Sequence, residues 1–526
     1  MMGRYSREDL ANCMDEIRAY CSSPVLDAVP WMNLKHPIHS VQEELIRPVS
    51  PQERAVAEPP VWALIRAAAG GLYAFRVMVE LIRVRLVFRS QLRELRTRSY
   101  EIIAKSWHFG KKDSNGRDFY YGDLQTRLRE RGVRMLLLTG DAQGALWDWT
   151  SDFQETALSL DRLPEWTLVP LTAPWEAVRL QWKSWRDLRR LANQTSRPLL
   201  RRLALRASRD MLSYRLIPTL LYAWVGKTST RLWKPRVWLT LYEGHGWEQI
   251  LWRGVREADP ACKIAGYQHT ILPPYLSALL RPSRDPGSRL RPDWVLCLGS
   301  RAKRLLEASH PDSVLTVFGT FRRQGPGSKS PVAPDPLNRT VIVLPEGLPD
   351  EARLLFEAAL CAARKSPSLR FILRCHPQLP FGKVLPFLST DPGSLPNVEV
   401  SQGSPIEQDF ARSSAILYRG SSSVLYAVLA GLKPIYLDQE GLRDIDPLGE
   451  LNVWRERIRD WAEMEPHLNR FERSDHEQIM REWHRAVQYV QEYAVAVDDA
   501  SIQAFLKALG RQDPAFKPKD KELSAV

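Results

Sequence analysis

The feature that most restricts the fold of this chain is a repeated pattern of short apolar runs. Each run ends at glycine and polar residues, and several are followed by a helix-like stretch. A first series comprises 101–107, 133–140, 236–244, 263–270, 293–300 and 313–320, and a second comprises 340–347, 369–377, 397–403, 414–423 and 433–438. Such runs, alternating with helices, are typical of buried strands in a parallel sheet. The pattern therefore predicts an α/β protein.

The two series are separated by residues 324–339, which are rich in glycine, proline and serine and read as a linker. A chain of 526 residues is also too long for one ordinary core. We therefore predict two doubly wound, Rossmann-like domains with helical extensions. The predicted parts are a 1–60 N-terminal extension, a 61–98 basic apolar helix, a 99–323 first domain with a basic helical insert at 150–235, a 340–450 second domain and a 451–526 helical tail.

The sequence predicts a cytoplasmic protein. Its six cysteines are scattered without CxxC spacing, which favours a reducing compartment over a disulfide framework or a zinc site. The first residues show no apolar signal region, and no run of about 18 uninterrupted apolar residues predicts a spanning helix.

Two basic segments raise the hypothesis of a peripheral contact with the inner face of the cytoplasmic membrane. Residues 171–240 hold fifteen Lys/Arg against three acids, with tryptophans interleaved, and residues 61–96 place arginines among Leu, Ile, Val and Phe. This combination suits an anionic lipid surface. The alternative is a solvated basic helix that packs on its own domain. No nucleic-acid-binding module accompanies the charge, so we expect no nucleic-acid partner.

The stretch ILYRGSSSVLYAVLAG (416–431) predicts a phosphate-binding turn. A buried strand ends near Tyr418, Gly420 permits a tight turn, and Ser421–Ser423 lead into a helix whose first N–H groups favour an anion. Arg419 adds positive charge beside this turn. The alternative is that one serine only caps the helix.

Further polar residues end other predicted strands, where ligands of doubly wound sheets bind. His376 ends a strand of the second domain and is a candidate donor to a departing phosphate oxygen. Arg374, two residues earlier on the same face, is a candidate phosphate-binding residue. Glu243, between a strand and a helix, is either a proton acceptor for a hydroxyl or a helix-capping acid. Candidate substrate-binding residues at other strand ends are Gln268, His269 and Glu346.

The motifs YEG (242–244), RCHP (374–377) and RGSSS (419–423), in this order, resemble glycosyltransferases of the GT-B architecture. The nearest subset is the bacterial capsule and lipopolysaccharide enzymes that use CMP-activated sialic-acid-like or Kdo donors. GYQHT (266–270), GTFR (319–322), PEG (345–347) and LAGLKPIYLD (429–438) resemble the wider group for surface carbohydrates. The resemblance implies two Rossmann-like domains that face a cleft.

The resemblance also implies roles for individual residues. Glu243 would be the general base on the acceptor hydroxyl, His376 would bind or protonate the phosphate of the leaving nucleotide, and Ser421–Ser423 would hold that phosphate. Arg322, in GTFR, is a further expected substrate contact. The implied partners are a nucleotide-sugar donor and a glycan or lipid-linked glycan acceptor. No DxD-type motif suggests a metal, and no cofactor is expected.

One departure from the family pattern is Tyr242, where the family has a second acid before the glycine. The donor class therefore has alternatives, namely CDP-glycerol or a UDP- or GDP-sugar on the same fold. A different class is a non-catalytic scaffold that binds membrane or glycan through its basic helices.

Overall fold

A computed structural model of the chain describes residues 7–21, 25–29, 60–108, 117–141, 161–272, 279, 291–321, 331–377, 379–439 and 444–509. The described helices are α1 (Arg7–Cys21), α2 (Val25–Ala28), α3 (Pro60–Val87), α4 (Arg89–Arg96), α5 (Leu124–Glu130), α6 (Ala173–Gln194), α7 (Pro198–Met211), α8 (Ile217–Trp233), α9 (Gly246–Ala258), α10 (Ser300–Glu307), α11 (Pro349–Lys365), α12 (Ile406–Ala411), α13 (Ser423–Leu429), α14 (Met464–Arg473), α15 (His476–Tyr493) and α16 (Asp499–Ala508). The strands are β1 (Ile102–His108), β2 (Met135–Asp141), β3 (Arg162–Pro164), β4 (Val237–Leu241), β5 (Lys263–Tyr267), β6 (Trp294–Cys297), β7 (Val314–Val317), β8 (Thr340–Leu344), β9 (Arg370–Arg374), β10 (Val398–Ser401), β11 (Ala415–Tyr418), β12 (Lys433–Leu437) and β13 (Glu456–Ile458).

The strands form two sheets, which confirms the predicted α/β fold with two doubly wound domains. The first sheet has the order β3-β2-β1-β4-β5-β6-β7 and the second has the order β10-β9-β8-β11-β12-β13. All pairs of neighbouring strands in both sheets are parallel. All strands of one sheet therefore end at the same edge.

Each sheet has one point where the strand order reverses. The chain leaves β1 toward β2 and β3 and then returns to place β4 on the other side of β1. In the second sheet the same reversal separates β8 from β11. Ligands of such sheets bind in the crevice at the carboxyl ends of the two strands that flank the reversal.

The first sheet is covered on both faces. Ile103 of β1 packs into a large core with α1–α3 and α6–α9, whereas its neighbours Ile102 and Ala104 face a second core with α5 and α16. This alternation follows from the two-residue period of a strand. The described part of the predicted N-terminal extension, α1 and α2, belongs to the first core and so is part of the first domain.

The boundaries differ from the predicted ones in three places. The strand β3 lies inside the predicted helical insert and pairs with β2. The strand β13 pairs with β12 and extends the second sheet beyond residue 450, where a helical tail was predicted. The last helix of that tail, α16, returns to the first domain, since Ile502, Phe505 and Leu506 pack in its second core. The strands β3 and β13 have three residues each, too short to give a sequence pattern of their own, and the amphipathic spacing of α16 does not indicate which domain it covers.

Three contacts join the carboxyl-end side of the first sheet to the second domain. Arg301, at the start of α10 after β6, pairs with Glu450 and places its guanidinium 4.1 Å from the ring centroid of Tyr489 on α15. The backbone N–H of Leu272, after β5, donates to the hydroxyl of Tyr493 at 2.6 Å. Residues that follow strands of the first sheet therefore touch the second domain.

No helix among the described residues is both long and apolar enough to cross a membrane.

Candidate functional site

The turn between β4 and α9 sits at the reversal point of the first sheet and is fixed by a buried carboxylate. Gly244 adopts φ +81°, a left-handed conformation that favours glycine. Glu248, in the first turn of α9, is fully buried and accepts hydrogen bonds from the backbone N–H groups of Glu243 and Gly244, each at 3.0 Å. Glu248 thus performs the capping that the sequence offered as the alternative role of Glu243, whose own carboxylate is left for other contacts.

The Glu243 carboxylate lies between two imidazoles. Its Oε1 is 2.9 Å from Nε2 of His269, which follows the neighbouring strand β5, and its Oε2 is 2.9 Å from Nε2 of His245. The Glu243 side chain is 21% exposed and that of His245 is 41% exposed, whereas His269 is almost buried. The structure therefore brings the predicted residues Glu243 and His269 together and adds His245. The group is open to solvent on the side of His245.

Tyr242 points to the opposite side of the strand end. Its ring is buried against Trp252, and its hydroxyl is 2.7 Å from Nε2 of His310. Burial, together with the nearby Arg291 charge, lowers the pKa of His310 to about 3, so the imidazole is neutral. Tyr242 is therefore a core residue, and Glu243 is the side chain of the YEG motif that faces the crevice.

Two further residues were predicted to bind substrate, Gln268 and Arg322. Gln268 is fully buried, its amide N–H donates to the Thr270 carbonyl, and its Oε1 accepts from the Leu298 N–H at 3.1 Å. These contacts give it a structural role in joining the ends of β5 and β6. Arg322 lies outside the described residues.

In the second domain the predicted residues follow three neighbouring strands, β9, β8 and β11. The half-buried ring of His376 lies against Gly347, where a side-chain carbon would be 3.1 Å from Nδ1 of the imidazole. Glu346 lies against Gly420, where a side-chain carbon would overlap its Oε1. His376, Glu346 and the serine turn are therefore neighbours at the reversal point of the second sheet.

The two arginines predicted to bind phosphate, Arg419 and Arg374, are engaged inside the protein. Arg419 is 2% exposed, and its guanidinium lies 2.8 Å from Oε1 of Glu351 and donates to the Leu437 carbonyl at 2.6 Å. Arg374 donates to the buried Asp409 at 2.6 Å and to the Ser404 carbonyl at 2.7 Å. The described bonds of both guanidinium groups are therefore directed to protein atoms, those of Arg374 to the β10 side of its strand.

The carboxyl group of Glu346 has a raised pKa. Burial and, after it, the like charge of Glu351 raise its pKa to about 7, against the opposing effect of Arg419. Burial likewise raises the pKa of Glu351, which Arg419 partly offsets. The buried guanidinium of Arg419 therefore interacts with the carboxyl groups of both Glu346 and Glu351. Glu346 can carry a proton near neutral pH.

The three serines are not used to cap the helix that follows them. Ser422 is the N-cap residue of α13, and its side chain makes no capping hydrogen bond. Within the described part of the chain, none of the three hydroxyls forms a hydrogen bond to another residue, and Ser422 and Ser423 are half-exposed. The hydroxyls are therefore available to a ligand.

Sequence reasoning overlooked His245, Glu248 and Glu351. A signal for His245 was present, since it stands two residues after Glu243 in the same turn. Glu248 and Glu351 lie in helices, where an acid is ordinarily a surface residue. Among the described residues there is no group of three or more His, Cys, Asp or Glu side chains placed to hold a metal ion.

No family model and no curated protein matches this chain. Solved structures that align with it include the glycosyltransferase SnogD from Streptomyces nogalater, at 15% identity and a TM-score of 0.35 over 78% of this chain and 100% of that one. A UDP-GlcNAc 2-epimerase from Neisseria meningitidis bound to UDP-GlcNAc aligns at 11% identity and a TM-score of 0.42, over 78% of this chain and 100% of that one. The glycotransferase of kitacinnamycin aligns at 12% identity and a TM-score of 0.41, over 78% and 99%. At these identities and TM-scores the similarity supports no inference about activity or substrate.

Proposed function

We propose that the chain is a glycosyltransferase that transfers a sugar from a nucleotide donor to a glycan acceptor. The observation that carries the proposal is the pair of polar groups at the two reversal points. Glu243 with its two imidazoles occupies the first, and the serine turn with Glu346 and His376 occupies the second. In this proposal the first group activates the acceptor hydroxyl, and the second group binds the nucleotide donor.

At the acceptor side, Glu243 takes the proton from the attacking hydroxyl. A carboxylate within hydrogen-bond reach of that hydroxyl suffices for general-base catalysis. His245 and His269 hold the carboxylate in one orientation, and His245 is the more exposed of the two. The new bond forms between the acceptor oxygen and the anomeric carbon, while the bond from that carbon to the donor phosphate breaks.

At the donor side, the leaving phosphate gains negative charge as this bond breaks. The hydroxyls of Ser421, Ser422 and Ser423 donate hydrogen bonds to it, and His376 donates a hydrogen bond or a proton. Arg419 and Arg374 act through their charge, since their described bonds go to protein groups. Preformed donors of this kind stabilise charge that develops in the transition state.

We infer the donor class from the motifs. The order YEG, RCHP, RGSSS favours a CMP-activated sialic-acid-like or Kdo donor and a role in surface polysaccharide synthesis. A CDP-glycerol donor, or a UDP- or GDP-sugar, is the alternative with the same fold. The inward orientation of Tyr242 supports Glu243 as the single acid of the motif.

A thermal-shift panel of CMP, CDP, UDP and GDP tests this proposal. We expect CMP to raise the melting temperature of the full chain and Ser421→Ala/Ser422→Ala to abolish that rise. Glu243→Gln should keep the nucleotide response and lose transfer by about 10²–10⁴-fold, the usual contribution of a general base. The matched control is Glu257→Gln, an exposed acid on α9 that pairs with Lys227.

The other outcomes are equally informative. A rise with UDP or GDP but not CMP replaces the donor class and keeps the enzyme proposal. No response to any nucleotide, or full transfer by both Glu243→Gln and His376→Ala, contradicts the proposal and favours a non-catalytic scaffold.

A further inference from the structure

The helix α3 exposes an unusual number of large apolar side chains. Nine of the nineteen large apolar residues that are exposed in the described part of the chain lie on this one helix. They include Leu64 at 60%, Leu72 at 76%, Phe75 at 54% and Leu86 at 66% exposure. Spacings of three, four, seven or eight residues place seven of them on one side of the helix, which we call the α3 apolar stripe: Val61, Leu64, Ile65, Leu72, Phe75, Ile82 and Leu86.

The opposite side of α3 is already occupied. Ala74, Val77, Leu81 and Val84 are buried in the first core of the first domain. Packing of the helix on its own domain, the alternative that the sequence left open, therefore accounts for one side only. The α3 apolar stripe extends along a helix of 28 residues, about 40 Å at 1.5 Å per residue. A soluble protein rarely leaves such a continuous apolar surface without a partner.

Basic residues on the adjacent helix α6 form a second stripe. Arg179, Lys183, Arg186 and Arg190 are all exposed and lie four, seven and eleven residues apart, so they project from one side of the helix. No acidic partner in the described part of the chain pairs with any of these four side chains. We call them the α6 basic stripe.

A cavity of about 260 Å³ joins the two helices. Its lining includes Arg66 and Gly70 of α3 and Trp175, Arg179 and Trp182 of α6. Trp175, one of the residues that line this cavity, is 45% exposed. Tryptophan and arginine at the boundary of an apolar surface are typical of side chains that sit at the level of lipid headgroups.

We propose that the α3 apolar stripe and the α6 basic stripe together dock the protein on an anionic phospholipid bilayer. The apolar side chains enter the boundary between headgroups and acyl chains, and the four cations contact the anionic headgroups. Charge complementarity selects this partner, because unpaired cations beside the apolar stripe match a surface that is negative and apolar beneath. This proposal does not depend on the proposed transfer reaction.

Flotation of the full chain with vesicles tests the proposal. We expect binding to phosphatidylcholine vesicles that contain 30% phosphatidylglycerol, little binding to pure phosphatidylcholine, and loss of most binding at high salt. Replacement of all four residues of the α6 basic stripe by glutamine should weaken binding on the order of 10²-fold or more, at roughly fivefold for each charge near the surface.

The chain offers a control of equal net charge. Arg353, Lys365, Arg370 and Arg485 are exposed residues of the second domain and are also replaced by glutamine. If the two fourfold variants lose binding equally, net charge alone is responsible and the docking surface is wrong.

A second pair of double variants tests the α3 apolar stripe. Leu72→Gln/Phe75→Gln should reduce binding at least tenfold, whereas Leu337→Gln/Val332→Gln, at 74% and 60% exposure, should leave it unchanged. All four positions are exposed, so the fold is expected to survive, which an unchanged melting temperature checks. Absence of vesicle binding by the wild type overturns the proposal. If, in addition, the Leu72/Phe75 variant converts a dimer to a monomer in sedimentation, a second copy covers the stripe.

Discussion

The two glutamates that follow central strands, Glu243 and Glu346, have opposite surroundings. Glu243 lies between His245 and His269 with a fifth of its side chain exposed. Glu346 is crowded by Gly420 and by the second carboxyl group of Glu351. The first arrangement orients a carboxylate, and the second favours a neutral acid. Sequence position at a strand end was sufficient to find both residues, but only the neighbours from other elements separate their chemistry.

We expect Glu346 to make stability depend on pH. Its pKa is raised from an ordinary 4.5 to about 7, so between these values the folded state keeps a proton that the unfolded state has lost. Stability therefore falls as pH rises through this window. Glu346→Gln removes the effect, and from pH 4.5 to 8 its free energy of unfolding should gain about 2–3 kcal/mol relative to wild type, at about 1.4 kcal/mol per pKa unit.

Urea denaturation at a series of pH values measures this difference. Glu477→Gln, at a side chain that is 82% exposed, is the control and should run parallel to wild type. Parallel curves for Glu346→Gln as well would contradict the raised pKa.

At the scale of elements, the contact that positions the turn between β4 and α9 is the crossing of α8 and α9. A side-chain carbon on Gly254 would overlap the backbone carbonyl of Ala223, and one on Gly226 would overlap that of Leu251. The two helix backbones therefore touch at a pair of glycines. Because α9 begins at Gly246, three residues after Glu243, this crossing fixes where the turn sits above the first sheet.

Gly254→Ala should destabilise the protein by about 3 kcal/mol, since a backbone carbonyl cannot move aside as a flexible side chain can. The gain in helix propensity, about 1 kcal/mol, opposes this loss only in part. Gly382→Ala is the control, because nothing lies within 4 Å of the carbon it adds. Thermal denaturation of both variants measures the difference, and equal melting temperatures would show that the helices can separate without cost.

Most strands could be predicted from the sequence because each is a short apolar run that ends at glycine or a polar residue. The exceptions have physical reasons. The strands β3 and β13 have three residues each, which is too short for a period. Lys105, in the middle of β1, is fully buried and pairs with the buried Glu165 at 3.1 Å, a contact between elements that no local pattern reveals.

At the scale of the whole molecule, the chain crosses between domains more than once. The first domain uses residues from α1 to β7 and then α16 from the far end of the chain. The sequence showed two series of strands and so two domains, but it placed the C-terminal helices together as one tail. Amphipathic spacing indicates that a helix packs on an apolar surface, but it does not indicate which domain provides that surface.

Phe505→Ala should destabilise the first domain by about 3–4 kcal/mol, the usual cost of removing a buried phenylalanine. Phe505 is 1% exposed and its ring packs 5.8 Å from that of Phe318. We expect hydrogen exchange to accelerate in β1 and β4, which share this core, although they lie about 260 to 400 residues earlier. Leu337→Ala, at an exposed side chain, is the control. Faster exchange confined to α16 would mean that this helix does not stabilise the rest of the first domain.

The return of α16 also has a consequence for synthesis. The last strand of the first sheet leaves the ribosome about 180 residues before α16, a delay of roughly ten seconds or more at 5–20 residues per second. Throughout that time the apolar surface that α16 covers in the first domain stays exposed to solvent or to a chaperone. The domain whose translation begins first is therefore the one whose folding is completed last, and a ribosome that stalls late releases two domains of which only the second can be whole.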